Sequence, residues 1–123
     1  MKRINRVTRN EDFSTIIGKK QSVANATFVV YFMENNYDHM RIGISVSKKL
    51  GNAVERNKIK RQLRMMLNEL CNFSDNSDLI VIVRNKFTRQ AYIDNKKDLL
   101  QVLKNVKMIE HSILNCKEKF LNE

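Results

Sequence analysis

Residues 40–70 read MRIGISVSKKLGNAVERNKIKRQLRMMLNEL. The start alternates: Ile42, Ile44 and Val46 fall on one face and Arg41, Gly43 and Ser45 on the other, the period of a half-buried strand. The period then changes to that of a helix. On a wheel of roughly 100° per residue, Ile59, Leu63, Met66, Leu67 and Leu70 fall within about a third of a turn, a core stripe. Between the two, Lys48 and Lys49 leave the strand, Gly51 permits a tight turn and Asn52 can cap the helix. The free N–H groups at that helix start add an anion site. Asn57, Lys60, Arg61 and Arg64 cluster opposite the stripe, and Arg56 and Lys58 flank it. Like charges on neighbouring turns repel, and Glu55 is the only nearby acid. A solvated face normally mixes both signs, so this face points to an anionic partner.

Working outward, Asn10 to Ile17 predicts a short helix. Asn10 is its expected N-cap, Glu11 and Asp12 suit the positive end of the dipole, Phe13, Ile16 and Ile17 share a face, and Gly18 ends it. A short strand is expected near Ser22–Asn25. Thr27 to Met33 is β-branched and aromatic, a second strand. After the turn at Asn35–Asp38 it is expected to pair with Met40–Val46 as an antiparallel hairpin. Beyond the basic helix, Ser74 to Asp78 reads as a turn. Leu79 to Val83 is a continuous apolar strand, central in its sheet. A last helix is expected from Asp94 to about Asn115, with Leu99, Leu103, Val106 and Ile109 on its core face. The order α-β-β-β-α-β-α predicts an α/β (α+β) two-layer sandwich. One domain over residues 1–123, with a tail beyond about residue 115, is the expected organisation.

Charge sharpens the reading. The chain has 123 residues, is 42% apolar and carries a net charge of +10. Residues 1–20 hold a net +4, 21–40 a net −2, 41–64 a net +7 and 65–123 a net +1. The surplus sits in two blocks rather than scattered, as focused binding to a polyanion requires. No apolar run is long enough to span a membrane, and the basic N-terminus is followed by no apolar segment of a secretory signal. Cys71 and Cys116 form no Cys-x-x-Cys pair, which suits a reducing, cytoplasmic compartment. A self-sufficient nuclease needs acids for metal ions or a general base. Asp75, Asp78, Asp94 and Asp98 have no such spacing, and His39 and His111 stand alone. A binding protein is favoured over a protein enzyme, a structural RNA-binding protein being the alternative. A peripheral membrane role lacks a helix with bulky aromatics beside its basic face.

The string from Gly43 to Arg64 resembles the signature of the bacterial ribonuclease P protein subunit family, Gly-Asn-Ala-Val-x-Arg-Asn-x-x-Lys-Arg-x-x-Arg. Gly51, Asn52, Ala53, Val54, Arg56, Asn57, Lys60, Arg61 and Arg64 fill it without a gap. Asn10–Phe13, Ser22–Asn25, Phe28–Tyr31 and Leu79–Arg84 extend the likeness, which weakens beyond about residue 105. The resemblance implies a small α/β sandwich whose basic helix joins two parallel strands by a left-handed crossover, against the usual hand. It implies a large catalytic RNA as partner, which uses bound Mg2+ to cut the 5′ leader from precursor tRNA. No cofactor bound by the protein alone, no obligate protein partner, no membrane and a cytoplasmic location are expected.

Carried over by residue, the resemblance assigns Arg56, Asn57, Lys58, Lys60, Arg61 and Arg64 to the catalytic RNA. It assigns Phe13, Ile17 and Tyr31 to a cleft for the single-stranded leader, where stacking holds unpaired bases. Ser47, Lys48 and Lys49 match a phosphate contact near that cleft, and Arg84 and Lys86 a weaker one. Phe13 alone reads equally as a core contact between helix and sheet. Three departures stand out. Ile17 replaces an aromatic common in the family, Gly18 comes early, and Arg84-Asn-Lys-Phe lacks a proline common after that strand.

Overall fold

The computed structural model describes residues 1–106. Its elements are α1 (Asn10–Gly18), β1 (Ser22–Ala24), β2 (Phe28–Glu34), β3 (Arg41–Ser45), α2 (Ala53–Leu70), β4 (Ser77–Val83) and α3 (Tyr92–Lys104). The order matches the expected one, and the mixed α/β class holds. Helix α3 begins two residues earlier than expected and ends at Lys104. The expected extension to Asn115, with Ile109, lies outside the described residues.

The strands form one sheet in the order β1-β2-β4-β3. The expected hairpin of β2 with β3 does not form. Strand β4 lies between them, antiparallel to β2 with Tyr31 opposite Ile80, and parallel to β3 with Gly43 opposite Ile80. The physical reason lies in β4 itself. Of its seven residues all but Ile82 are buried, and a strand so apolar is best placed with neighbours on both edges and cover on both faces. Parallel neighbours cannot be joined by a tight turn, so α2 makes the connection from β3 to β4. The start is also earlier than expected: Ser77 and Asp78 belong to the strand, not to a turn.

Alternation divides the sheet into two faces. Phe28, Val30, Ile42, Leu79, Val81 and Val83 pack under α2 and α3 in the main core. The α2 stripe read from the sequence is the buried set: Ile59, Leu63, Met66, Leu67 and Leu70. The other face carries Tyr31, Met33, Ile80 and Ile82, and α1 lies there with Ile16 and Phe13 in a smaller, separate cluster. The two long helices thus form the second layer, while the nine-residue α1 covers part of the opposite face. Asn10 does not cap α1. The cap position is Arg9, without a side-chain hydrogen bond, and Arg9 pairs instead with Glu11 at 2.8 Å.

Candidate nucleic-acid interface

The basic helix starts where the sequence places it. Ser47 Oγ accepts from the Lys49 N–H at 3.2 Å and shapes a 3-10 turn over Lys48–Leu50. Gly51 then adopts φ 141°, and a Cβ there would meet Glu55 at 2.9 Å, so only glycine suits the position. Asn52 Oδ1 accepts from the Glu55 N–H at 2.9 Å, and Glu55 Oε1 accepts from the Asn52 N–H at 3.0 Å. This capping box orients Glu55, the one acid of the block, toward the helix start. Among the described residues, Arg56, Lys58, Lys60, Arg61 and Arg64 form no salt bridge.

The structure divides the cluster that the wheel sets opposite the stripe and groups part of it with the flanking Arg56. Arg56, Lys60 and Arg64 form a half-buried row, one turn apart, on the side toward β3. Asn57 and Arg61 are exposed at the crest. Lys58 is exposed on the other flank, lining a cavity with Gln62, Thr88 and Tyr92. Lys60 and Arg64 line a cavity of about 270 Å³ with Arg6, Thr8, Phe13 and Ile44. Burial, and then the charge of Arg6, hold the Arg64 guanidinium below its ordinary pKa. The Nε atoms of Arg56 and Arg64 are buried without a hydrogen-bond partner. Guanidinium donors left unpaired at a surface crowded with like charge are a cost to the free protein that an anion relieves.

Arg6 was not among the residues singled out from the sequence. Its only signal there was membership of the first basic block. Arg6 bridges to Ile42 in parallel, and the Val7 N–H donates to the Ile42 carbonyl at 3.0 Å. The N-terminal segment therefore runs along the free edge of β3 and brings the first charge block against the second.

The expected cleft residues lie on the α1 side of the sheet. Phe13 and Tyr31 are half-buried in the small cluster with Ile16 and Ile80. Ile17 is 37% exposed beside them on α1. A Cβ on Gly43 would come 2.7 Å from Phe13 Cζ, so the Phe13 ring rests on bare backbone. Ser47, Lys48 and Lys49 are exposed. Because β3 and β4 are parallel, with Ser45 opposite Ile82, the segments carrying Ser47–Lys49 and Arg84–Lys86 leave the same end of the sheet. Arg84 Nη1 donates to the Asn25 carbonyl at 3.1 Å, which pins it beside the β1–β2 turn. Lys86 is exposed.

Among the described residues no helix is long and apolar enough to cross a membrane. The family model described as Ribonuclease P matches residues 1–107. The chain is 43% identical over 118 residues to the ribonuclease P protein component of Streptococcus mutans, covering 96% of this chain and 99% of that one. To its counterpart in Streptococcus gordonii it is 42% identical over 119 residues, covering 97% and 100%. Among solved structures, the Staphylococcus aureus RNase P protein superposes with a TM-score of 0.76 at 44% identity, covering 85% of this chain and 97% of that one. The RNase P protein of Thermotoga maritima superposes with a TM-score of 0.71 at 34% identity, covering 80% and 94%. With a family model matched over residues 1–107 and relatives of that identity and coverage, the chain belongs to the ribonuclease P protein component family, whose members take part in tRNA processing.

Proposed function

We propose that this protein binds the catalytic RNA of ribonuclease P through α2 and holds the 5′ leader of precursor tRNA on the sheet face beside α1. It thereby assists endonucleolytic removal of the leader in the cytoplasm. The observation that carries the reading is the row Arg56, Lys60 and Arg64, whose buried Nε donors on Arg56 and Arg64 have no partner. Asn57, Lys58 and Arg61 extend the same surface to backbone phosphates. Phe13, Tyr31 and Ile17 offer apolar surface to unpaired bases, and Ser47, Lys48, Lys49, Arg84 and Lys86 offer donors and charge to the leader phosphates.

The chemistry of bond cleavage is assigned to the RNA. Among the described residues, His, Cys, Asp and Glu form no group of three or more that could hold a metal ion. In this reading the catalytic Mg2+ sits at the RNA active site. The test is turnover of precursor tRNA by the catalytic RNA, with and without this protein, across a magnesium series. The expected gain is largest at low magnesium, where protein cations substitute for screening ions. Protein freed of RNA is expected to be inert. Robust cleavage by such protein, or no gain at any magnesium concentration, overturns the reading; the second result favours a structural RNA-binding role.

A further inference from the structure

Packing alone holds α1 weakly. The helix has nine residues, one of them buried (Ile16), and no side-chain N-cap. Its apolar contacts belong to the smaller cluster, not the main core. A helix of this length has little stability of its own. A polar connection supplements it. Arg41 Nε and Nη2 donate to Asp78 Oδ1 and Oδ2 at 3.0 and 2.6 Å. Asp78 is fully buried in β4 and also accepts from Asn35 Nδ2 at 2.7 Å. The Tyr37 ring centroid lies 4.5 Å from Arg41 Cζ. With its guanidinium held by a bidentate carboxylate and an aromatic face, Arg41 directs Nη1 to Asp12 Oδ2 at 3.4 Å.

Two neighbour relations give this ion pair its consequence. Asp12 immediately precedes Phe13 on α1. Arg41 stands two residues before Gly43 in β3, on the same sheet face. The tether and the ring thus join the same two elements, one strand period apart.

We propose that Asp12 is a positioning residue for leader recognition. Its ion pair with Arg41 sets where α1 lies on the sheet and so keeps Phe13 seated on Gly43 at the wall of the leader groove. Asp12 shares Arg41 with Asp78, so two carboxylates face one guanidinium and the contact acts by position rather than by cancelling charge. This inference rests on the leader assignment made above. That contact lies on the leader side of the molecule.

The test uses the assembled RNA–protein enzyme. Affinities are measured for precursor tRNA with a leader of several nucleotides, precursor with a one-nucleotide leader, and mature tRNA. The proteins are the unaltered chain, Asp12→Ala, Asp12→Glu, Phe13→Ala and the Asp12→Ala/Phe13→Ala double variant. Asp12→Ala is expected to weaken long-leader binding by roughly three- to fivefold, the range of a partly exposed ion pair. Binding of mature tRNA and of the catalytic RNA stays unchanged, and Asp12→Glu recovers most of the loss. In the double variant the losses are less than additive, because one group acts through the other. Equal loss for all three RNAs, with a lowered melting temperature, makes Asp12 a stability residue only and overturns the inference. A selective loss in Phe13→Ala with none in Asp12→Ala overturns it while the leader assignment stands. No selective loss in Phe13→Ala removes both.

Discussion

Phe13 and Gly43 are in direct contact across the edge of the cleft: a Cβ on Gly43 would lie 2.7 Å from Phe13 Cζ and 2.7 Å from Ile80 Cδ1. Gly43 is itself buried. The missing side chain is what lets α1 approach the sheet closely enough to place an aromatic ring beside Lys60 and Arg64.

Gly43→Ala should therefore cost about 1–3 kcal/mol of folding stability, the usual range for overpacking a tight site. It should also weaken long-leader precursor binding, since the ring must move. Pairing it with Phe13→Leu, which relieves the clash with the ring but not the one with Ile80 Cδ1, should recover part of the stability but not leader affinity. Urea midpoints beside tRNA affinities check both parts, and an unaltered midpoint in Gly43→Ala contradicts the contact.

Phe13→Ala separates packing from recognition. Phe13 is half-buried in a satellite cluster, so its loss should cost less than the roughly 3–5 kcal/mol of a fully buried Phe. Precursor tRNA affinity should fall by about 1–3 kcal/mol where a base stacks on the ring, with mature tRNA unaffected. The loss should shrink as the leader is cut to one or two nucleotides. A large fall in melting temperature with equal loss for both tRNAs assigns Phe13 to packing.

The crest and the row of α2 should respond differently. Arg61→Ala and Arg64→Ala should each weaken binding to the catalytic RNA by roughly one to a few kcal/mol, as a lost charge-assisted hydrogen bond does. The slope of log K on log salt should fall by about one unit per lost phosphate contact. Only Arg64 sits against Arg6 with an unpaired buried Nε. Arg64→Met should thus leave the free protein as stable as before or more so, whereas a stability loss in that variant would show that the arginine packs rather than waits for an anion.

Acid should loosen the seam between α3 and the β1–β2 turn. Burial by itself raises the Asp98 pKa, but hydrogen bonds from Gln90 and Thr27, with the charge of Lys86, outweigh it and hold the carboxyl below its ordinary 3.8. The Thr27 hydroxyl donates to Asp98 Oδ2 at 2.7 Å, and Gln90 Nε2 donates to the same oxygen at 3.0 Å. A carboxylate held lower in the folded than in the unfolded state stabilises the fold above its unfolded pKa, and the contribution is lost as pH falls through the folded one. Asp98→Asn should accordingly flatten the dependence of the unfolding midpoint on pH below about 4. The slope is read from denaturant curves at several acid pH values, and an unaltered slope removes Asp98 from the acid response.

The local chemistry of this protein was legible in its sequence because it is periodic or capped. The α2 stripe, the Asn52 cap, the Gly51 turn and the sign of the opposite face all follow from residues within one or two turns of each other. Strand order was not so encoded. Thr27–Met33 and Met40–Val46 are neighbours in the chain and read as a hairpin, yet the apolar β4 takes the place between them, because its burial is worth more than a short connection. That one exchange makes β3 and β4 parallel and brings Ser47–Lys49 and Arg84–Lys86 to one end of the sheet. The meeting of Arg6 with Arg64 and of Arg41 with Asp12 and Asp78 likewise joins residues 29 or more positions apart. Sequence determined which side chains could meet an RNA and on what local frame; tertiary packing decided which of them share a cleft, because only burial of the whole apolar set chooses among registers that each strand by itself finds nearly equal.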